Sequence, residues 1–171
     1  MKIELQVPYE IRCQLVFRQE LEGPFEVRER EDVGFVLIGT FGDGIGNVDL
    51  LRRRFGWAGT LKALAKLATP ARRLYGMVKE GELAHWAWVT LKPCKHYWTD
   101  PGAVTIGPIE TAVEWRRKGL AADAMRHAMN RLFSEGLTLF FIDTSNENVA
   151  SQRTIAKCGF GAPVACYRTG A

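Results

Sequence analysis

Leu120, Ala124, Ala128 and Leu132 recur every fourth residue, with Ala121, Met125, Met129 and Phe133 beside them. That spacing lays one apolar stripe along a helix. Just ahead of it stands V-T-I-G-P-I-E-T-A-V, Val104 to Val113, an apolar run rich in β-formers that reads as a strand. Between strand and helix lies a short basic segment containing glycine, R-R-K-G-L-A, Arg116 to Ala121. The order then repeats. L-T-L-F-F-I-D-T, Leu137 to Thr144, reads as a second strand, followed by N-E-N-V-A-S-Q-R-T-I-A-K-C-G-F, Asn146 to Phe160, with a helix in it.

Earlier in the chain the pattern is less regular. Met1 to Gln19 alternates loosely and predicts one or two strands around Pro8, and Val33 to Phe41 predicts a clearer one. Gly42 to Gly46 (G-D-G-I-G) reads as a structural turn, because it carries Asp43 and no lysine. Asn47 is placed to cap a short helix through Phe55, and Thr60 to Ala68 predicts a second, stopped by Pro70. Leu74 to Val78 and Leu83 to Leu91 are strands joined by a tight turn at Lys79 to Glu82. The aromatic and polar segment Lys92 to Gly102 is a loop placed to help form a substrate site, and Val164 to Arg168 adds a last strand. This order predicts an α/β fold with a mixed, largely antiparallel central sheet flanked by helices. Residues 1–171 read as one domain.

Composition narrows the class. No apolar run is long enough to span a membrane, and Glu4, Gln6 and Pro8 interrupt the start in a way no secretory signal would. Four cysteines without C-x-x-C spacing predict no metal and a cytoplasmic location. The net charge of +4 is mild. Basic and aromatic residues are not interleaved in a recognisable pattern, so nucleic-acid binding is not expected. Lys62, Lys66, Arg52 to Arg54 and Arg72–Arg73 suit either an anionic acceptor or membrane surface, or a solvated helix face, and the second is preferred.

The chemistry concentrates at Arg116 to Ala121. A helix start leaves backbone N–H groups unpaired and pointing one way, and the helix dipole makes that end positive. Arg116, Arg117 and Lys118 add full charges, while Gly119 and Ala121 leave room for a ligand to approach the backbone. Such a site suits a pyrophosphate.

These two blocks together resemble the GNAT superfamily of acyl-CoA-dependent N-acyltransferases. Arg116, Gly119 and Ala121 fit its pyrophosphate signature, [Q/R]-x-x-G-x-[G/A]. Asn148, Ser151, Lys157, Gly159 and Phe160 fit its later motif, in the form nearest the ribosomal-protein-acetyltransferase branch. The likeness runs from about Leu74 to Tyr167. It implies a sheet in which two parallel strands, here the Val104 and Leu137 strands, splay apart to admit the pantetheine arm. It also implies acetyl-CoA as donor, an amine acceptor, and no metal; a homodimer is compatible with it. The pyrophosphate falls to Arg116, Arg117, Lys118, Gly119, Leu120 and Ala121. Main-chain groups of Thr111, Ala112 and Val113 pair with pantetheine, and Asn148 sits near its distal end, where it also suits a helix N-cap, as do Asn146 and Ser145.

Many members carry a tyrosine as general acid at a position occupied here by Ile155. The ribosomal-protein branch has a serine at the place of Ser151, which makes Ser151 the candidate acid, against a capping or packing role. Glu110 is the candidate base. Strand alternation turns it away from Ile109 and Thr111, toward the open acceptor side, where partial desolvation would raise its basicity; pairing with a nearby arginine or lysine is the alternative. Asp100 and His96 follow. His85 reads as a half-buried strand residue, Trp86 and Trp88 as core, and His127 as remote from the site. The reading is an N-acetyltransferase acting on a primary amine, with a non-catalytic acyl-CoA-binding or regulatory domain as its rival.

Overall fold

The structure is a computed structural model that describes residues 13–168, so the expected strands around Pro8 lie outside the described residues. In chain order the elements are β1 (Gln14–Glu20), β2 (Gly34–Ile38), α1 (Phe41–Gly46), α2 (Val48–Leu67), β3 (Arg72–Lys79), β4 (Glu82–Thr90), β5 (Val104–Thr111), α3 (Leu120–Phe133), β6 (Leu139–Ser145), α4 (Val149–Lys157) and β7 (Ala165–Tyr167). The seven strands form one sheet in the order β2-β3-β4-β5-β6-β1-β7. All neighbours run antiparallel except β5 and β6. β1 lies between β6 and β7, with Val16 opposite both Asp143 and Ala165.

Alternation along the strands builds two cores. Tyr75, Ala87, Val104, Ile106, Phe140 and Ile142 face α3 and α4, where they meet Leu120, Met125, Met129, Leu132 and Ile155. Burying a side chain such as Phe140 or Ile142 contributes roughly 1.5–3 kcal/mol. The opposite face is covered in two parts. Leu74, Leu83, Trp86 and Trp88 pack under Leu51, Leu64 and Leu67 of α2, as the core reading of the tryptophans requires. Farther along, Val16, Ala103 and Phe141 pack under Tyr97 of the loop 92–102, with Tyr167 of β7 beside them.

The helical region differs from the sequence reading at two points. Gly42 to Gly46 is helical, part of α1. Thr40 caps it: its Oγ1 accepts from Asp43 N at 3.1 Å, while Asp43 Oδ2 accepts from Thr40 N and Gly39 N at 3.0 Å each. This capping box stabilises a helix that the glycines disfavour. The bonds from Gly39 and Thr40 hold the Asp43 carboxyl below the usual range. Asn47 makes no side-chain cap on α2; its amide donates instead to Asp43 O at 2.9 Å and closes α1. The two predicted helices are both present within α2, divided by a kink at Gly56, where φ is 65°.

Four basic residues of this region make contacts within the fold. Arg54 lies over Trp86, Lys66 over Trp88, Arg52 pairs with Asp49, and Arg73 pairs with Glu135 at 2.6 Å. None of the described helices is long and apolar enough to cross a membrane.

Candidate active site

β5 and β6 pair only from Val104↔Phe140 to Ile106↔Ile142. Beyond Ile106 they separate, although β5 continues to Thr111 and β6 to Ser145. The cause is local to β5. Between Ile106 and Ile109 it holds one residue more than β4 holds between Val89 and Ala87. This bulge contains Gly107, whose φ of 142° excludes ordinary side chains, and Pro108, which has no N–H for a ladder. The strand is thereby turned away from β6.

The edge so exposed carries free backbone groups. Ala112 N donates to Ala84 O at 3.0 Å. Ladder alternation therefore sends the main-chain groups of Ile109 and Thr111 the other way, into the splay. This corrects the expectation for Ala112, whose C=O also accepts from Trp115 N at 2.9 Å. Thr111 O accepts from Arg116 Nε at 3.1 Å, and Val113 O from Arg116 N at 3.3 Å, which leaves Thr111 N–H, with the main chain of Ile109, to face the gap.

A single 3-10 turn, Val113–Trp115, leads from β5 to the basic turn. Arg117 adopts φ 61° and Gly119, the N-cap of α3, φ 79°. These conformations curl the backbone so that the start of α3 is open while Leu120 plugs the core. Arg116, Arg117, Lys118 and Gly119 are all exposed. Trp115 meets two cations, with Lys118 Nζ 4.2 Å and Lys79 Nζ 4.7 Å from its ring centroid. Arg30, from the poorly patterned N-terminal part, completes the turn. It donates to Lys118 O at 2.7 Å and pairs with Asp123 at 2.7 Å, neutralising a carboxylate near the start of α3. Its segment is strapped to α3 by Asn130, which exchanges two hydrogen bonds with the backbone of Phe25.

His85 lies beneath this region, fully buried where half-burial was expected. Its Nδ1 is 2.9 Å from Thr111 Oγ1, and its Nε2 has no partner among the described residues. Burial pushes its pKa down to about 4, so the ring is neutral at pH 7 and fixes Thr111 without adding charge. The unfolded chain takes up this proton near the ordinary value of 6.5. Stability is therefore lost as pH falls from about 6.5 to about 4, by on the order of 3 kcal/mol. His85→Gln lacks this term, and its melting temperature should fall less than that of the wild type between pH 7 and pH 4.5. Equal slopes in thermal melts would show that His85 protonates freely in the fold.

Past the splay, Asn148 Oδ1 accepts from Ser151 N at 3.0 Å. Asn148 is thus the cap of α4, rather than Asn146, which binds Cys13 N, or Ser145, which binds Glu147 N. The cap uses only its oxygen and leaves the amide NH2 as a donor. The Ser151 hydroxyl is partly exposed and makes no hydrogen bond among the described residues, whereas Ile155 is buried at 1% exposure. Glu110, opposite Trp86, faces away from α3 as alternation requires. It is exposed rather than partly desolvated, and it forms no ion pair among the described residues. Asp100 pairs with Arg18 at 3.6 Å, His96 stacks on Tyr167, and His127 stacks on Phe35, away from the splay.

Sequence reasoning missed Asp143. It stands on β6 one residue beyond the last β5–β6 pair, on the face opposite α3. Tyr97 Oη donates to its Oδ1 at 3.3 Å and Tyr167 Oη to its Oδ2 at 2.8 Å. A carboxylate inside the apolar run F-F-I-D-T was the available signal.

The profile of the acetyltransferase (GNAT) family matches residues 47–160. No curated protein matches the sequence. Among solved structures, the fold is similar to a GCN5-related N-acetyltransferase from Kribbella flavida, at 15% identity and a TM-score of 0.60, over 90% of this chain and 55% of that one. It is also similar to an acetyltransferase from the GNAT family from Colwellia psychrerythraea, at 20% identity and 0.57, over 88% and 52%. A third is AAC(6')-Iy in complex with the bisubstrate analog CoA-S-monomethyl-acetylneamine, at 16% identity and 0.58, over 81% and 99%. The chain thus spans about half the length of the first two and nearly all of the third. Because the family match runs from α2 through α4, taking in the splayed strands and the basic turn, the chain belongs to the acetyltransferase (GNAT) family.

Proposed function

We propose that the chain transfers an acetyl group from acetyl-CoA to a primary amine by direct attack within a ternary complex. The observation that carries this reading is the parting of β5 from β6 at Ile106 beside an open, basic start of α3. The residues fit acetyl-CoA on two counts. Gly119, at φ 79°, leaves the approach to the α3 N–H groups bare, and the β5 edge presents the unpaired Thr111 N–H within the gap. The family match and the CoA-bearing analog held by AAC(6')-Iy support the same donor.

In this reading the N–H groups at Gly119, Leu120 and Ala121 take the pyrophosphate, with Arg116, Arg117 and Lys118 supplying charge. Thr111 N–H pairs with the pantetheine arm, and the Asn148 amide closes its distal end. The acceptor nitrogen attacks the thioester carbonyl, the C–N bond forms and the C–S bond breaks. The amine proton passes to Glu110, directly or through a water. The departing sulfur takes a proton from Ser151, whose hydroxyl is then restored from solvent. Holding the two reactants in line supplies much of the acceleration. We place the reaction in one unit formed by the single sheet, and in the cytoplasm, since Cys13, Cys94, Cys158 and Cys166 are all free thiols.

Gly119→Val tests the donor site. Valine disfavours the left-handed region by about 1–2 kcal/mol. Its Cβ would also stand 3.3 Å from Arg30 Nη2. Acetyl-CoA affinity measured by calorimetry should fall about 10-fold or more. Equal affinities would move the donor elsewhere. A chain that binds acetyl-CoA yet releases no CoA with any amine would be a binding module on this fold.

A further inference from the structure

The second face of the sheet changes character where β5 departs. Phe141, the last β6 residue of this face still paired with β5, is buried with Val16 and Ala103. Beyond it the same face presents Asp143, with Gln14 and Ser145 following in register. Asp143 is half-buried, yet no lysine, arginine or histidine forms an ion pair with it among the described residues. A carboxylate withdrawn from water is costly without a cation.

Its surroundings are built rather than incidental. Two phenols from separate elements, Tyr97 of the loop 92–102 and Tyr167 of β7, each donate to one carboxylate oxygen. Their rings stand 5.6 Å apart, and His96 stacks on Tyr167 at 5.9 Å. Burial first, then the Asp143 carboxylate, raises both phenols, so they remain donors at neutral pH. Two phenols occupy two of about four acceptor positions on a carboxylate and leave the others open. A fixed carboxylate walled by aromatic rings matches the chemistry of an ammonium group, through charge and through the ring faces together.

Resting on the acetyl-transfer reading, we infer that Asp143, Tyr97 and Tyr167 form a subsite for a second ammonium group of the acceptor, so that the acceptor is a small molecule with two or more amines. The reacting amine must be neutral to attack, so the site that receives it gains nothing from a held cation. A carboxylate one residue past the last β5–β6 pair is placed instead to anchor a neighbouring, protonated amine. This selects diamines and amino sugars over single amines of equal length.

The test uses diamines from 1,3-diaminopropane to 1,6-diaminohexane, each against the monoamine of the same carbon count, with the CoA-loaded protein. Calorimetry should give one or more diamines an advantage of about 10-fold over the matching monoamine. Asp143→Asn keeps the side chain's size, and should erase that gap while leaving acetyl-CoA affinity unchanged. Tyr97→Phe, which keeps the ring, should narrow it and serves should Asp143→Asn fail to fold. Equal binding of diamine and monoamine by the wild type, or an undiminished gap in both variants, overturns the subsite. CoA release is followed in parallel. Diamines that bind at Asp143 without release would refute transfer and leave the subsite standing. Amines acetylated with no preference for the second ammonium would do the reverse.

Discussion

Glu110→Gln should lower the maximal rate of CoA release by roughly 10²-fold or more, the scale of a lost general base. Glutamine keeps the length and shape of the side chain and removes its capacity to accept a proton. Glu110 lies on β5 after the bulge, opposite Trp86, on the face away from α3. Thr111 next to it presents its main chain to the splay, so Glu110 and the donor's path are parts of one strand. The side chain is exposed and without an ion pair among the described residues, which leaves it free to meet an amine or an intervening water. Acetyl-CoA affinity should survive the substitution, because no cofactor contact is assigned to the carboxylate. A variant that keeps the wild-type rate would leave the proton to another group. Asp100 and His96 would be next, although Asp100 pairs with Arg18 and His96 stacks on Tyr167.

What the sequence made legible followed period and punctuation. The four-residue spacing from Leu120 to Leu132 became α3, and Leu120, Ala124, Ala128 and Leu132 are all buried. The runs at Val104 and Leu137 became β5 and β6, and the tight turn at Lys79 to Glu82 became the β3–β4 hairpin. The splay was implied by resemblance; its physical cause, an extra residue at Gly107–Pro108, was already written in V-T-I-G-P-I but cannot be recognised as a bulge until the partner strand is known. Where local signals failed, tertiary contacts decided. Gly42 to Gly46 is helical because Thr40 and Asp43 cap it and Gly44 packs closely under Leu64 and Leu67. Arg30 reaches the basic turn from nearly ninety residues away, and Tyr97 and Tyr167 come together at Asp143. No spacing rule brings such residues together, because the sheet order does so. The insertion of β1 between β6 and β7 is the clearest case, since it makes the N-terminal part of the chain one wall of the face on which Asp143 stands.

Ser151→Ala should lower the maximal rate by about 10²-fold, the low end for a general acid, with a much smaller change in acetyl-CoA affinity. The position usual for an acid in this family is closed, because Ile155 is buried against α3 and has no proton to give. Ser151 lies one turn earlier on α4. Its backbone N–H is committed to Asn148 Oδ1, which fixes the first turn of the helix, while its hydroxyl is unpartnered among the described residues and partly exposed. Capping therefore belongs to Asn148, and removing the hydroxyl of Ser151 takes no bond from the fold. Alanine is also the better helix former, so stability should hold or rise slightly. A capping or packing role predicts the opposite pattern, with a lower melting temperature and an unchanged rate. The two are separated by measuring thermal stability, acetyl-CoA affinity and single-turnover CoA release on the same variant. An unaltered single-turnover rate would remove Ser151 from the chemistry and leave water to protonate the departing sulfur.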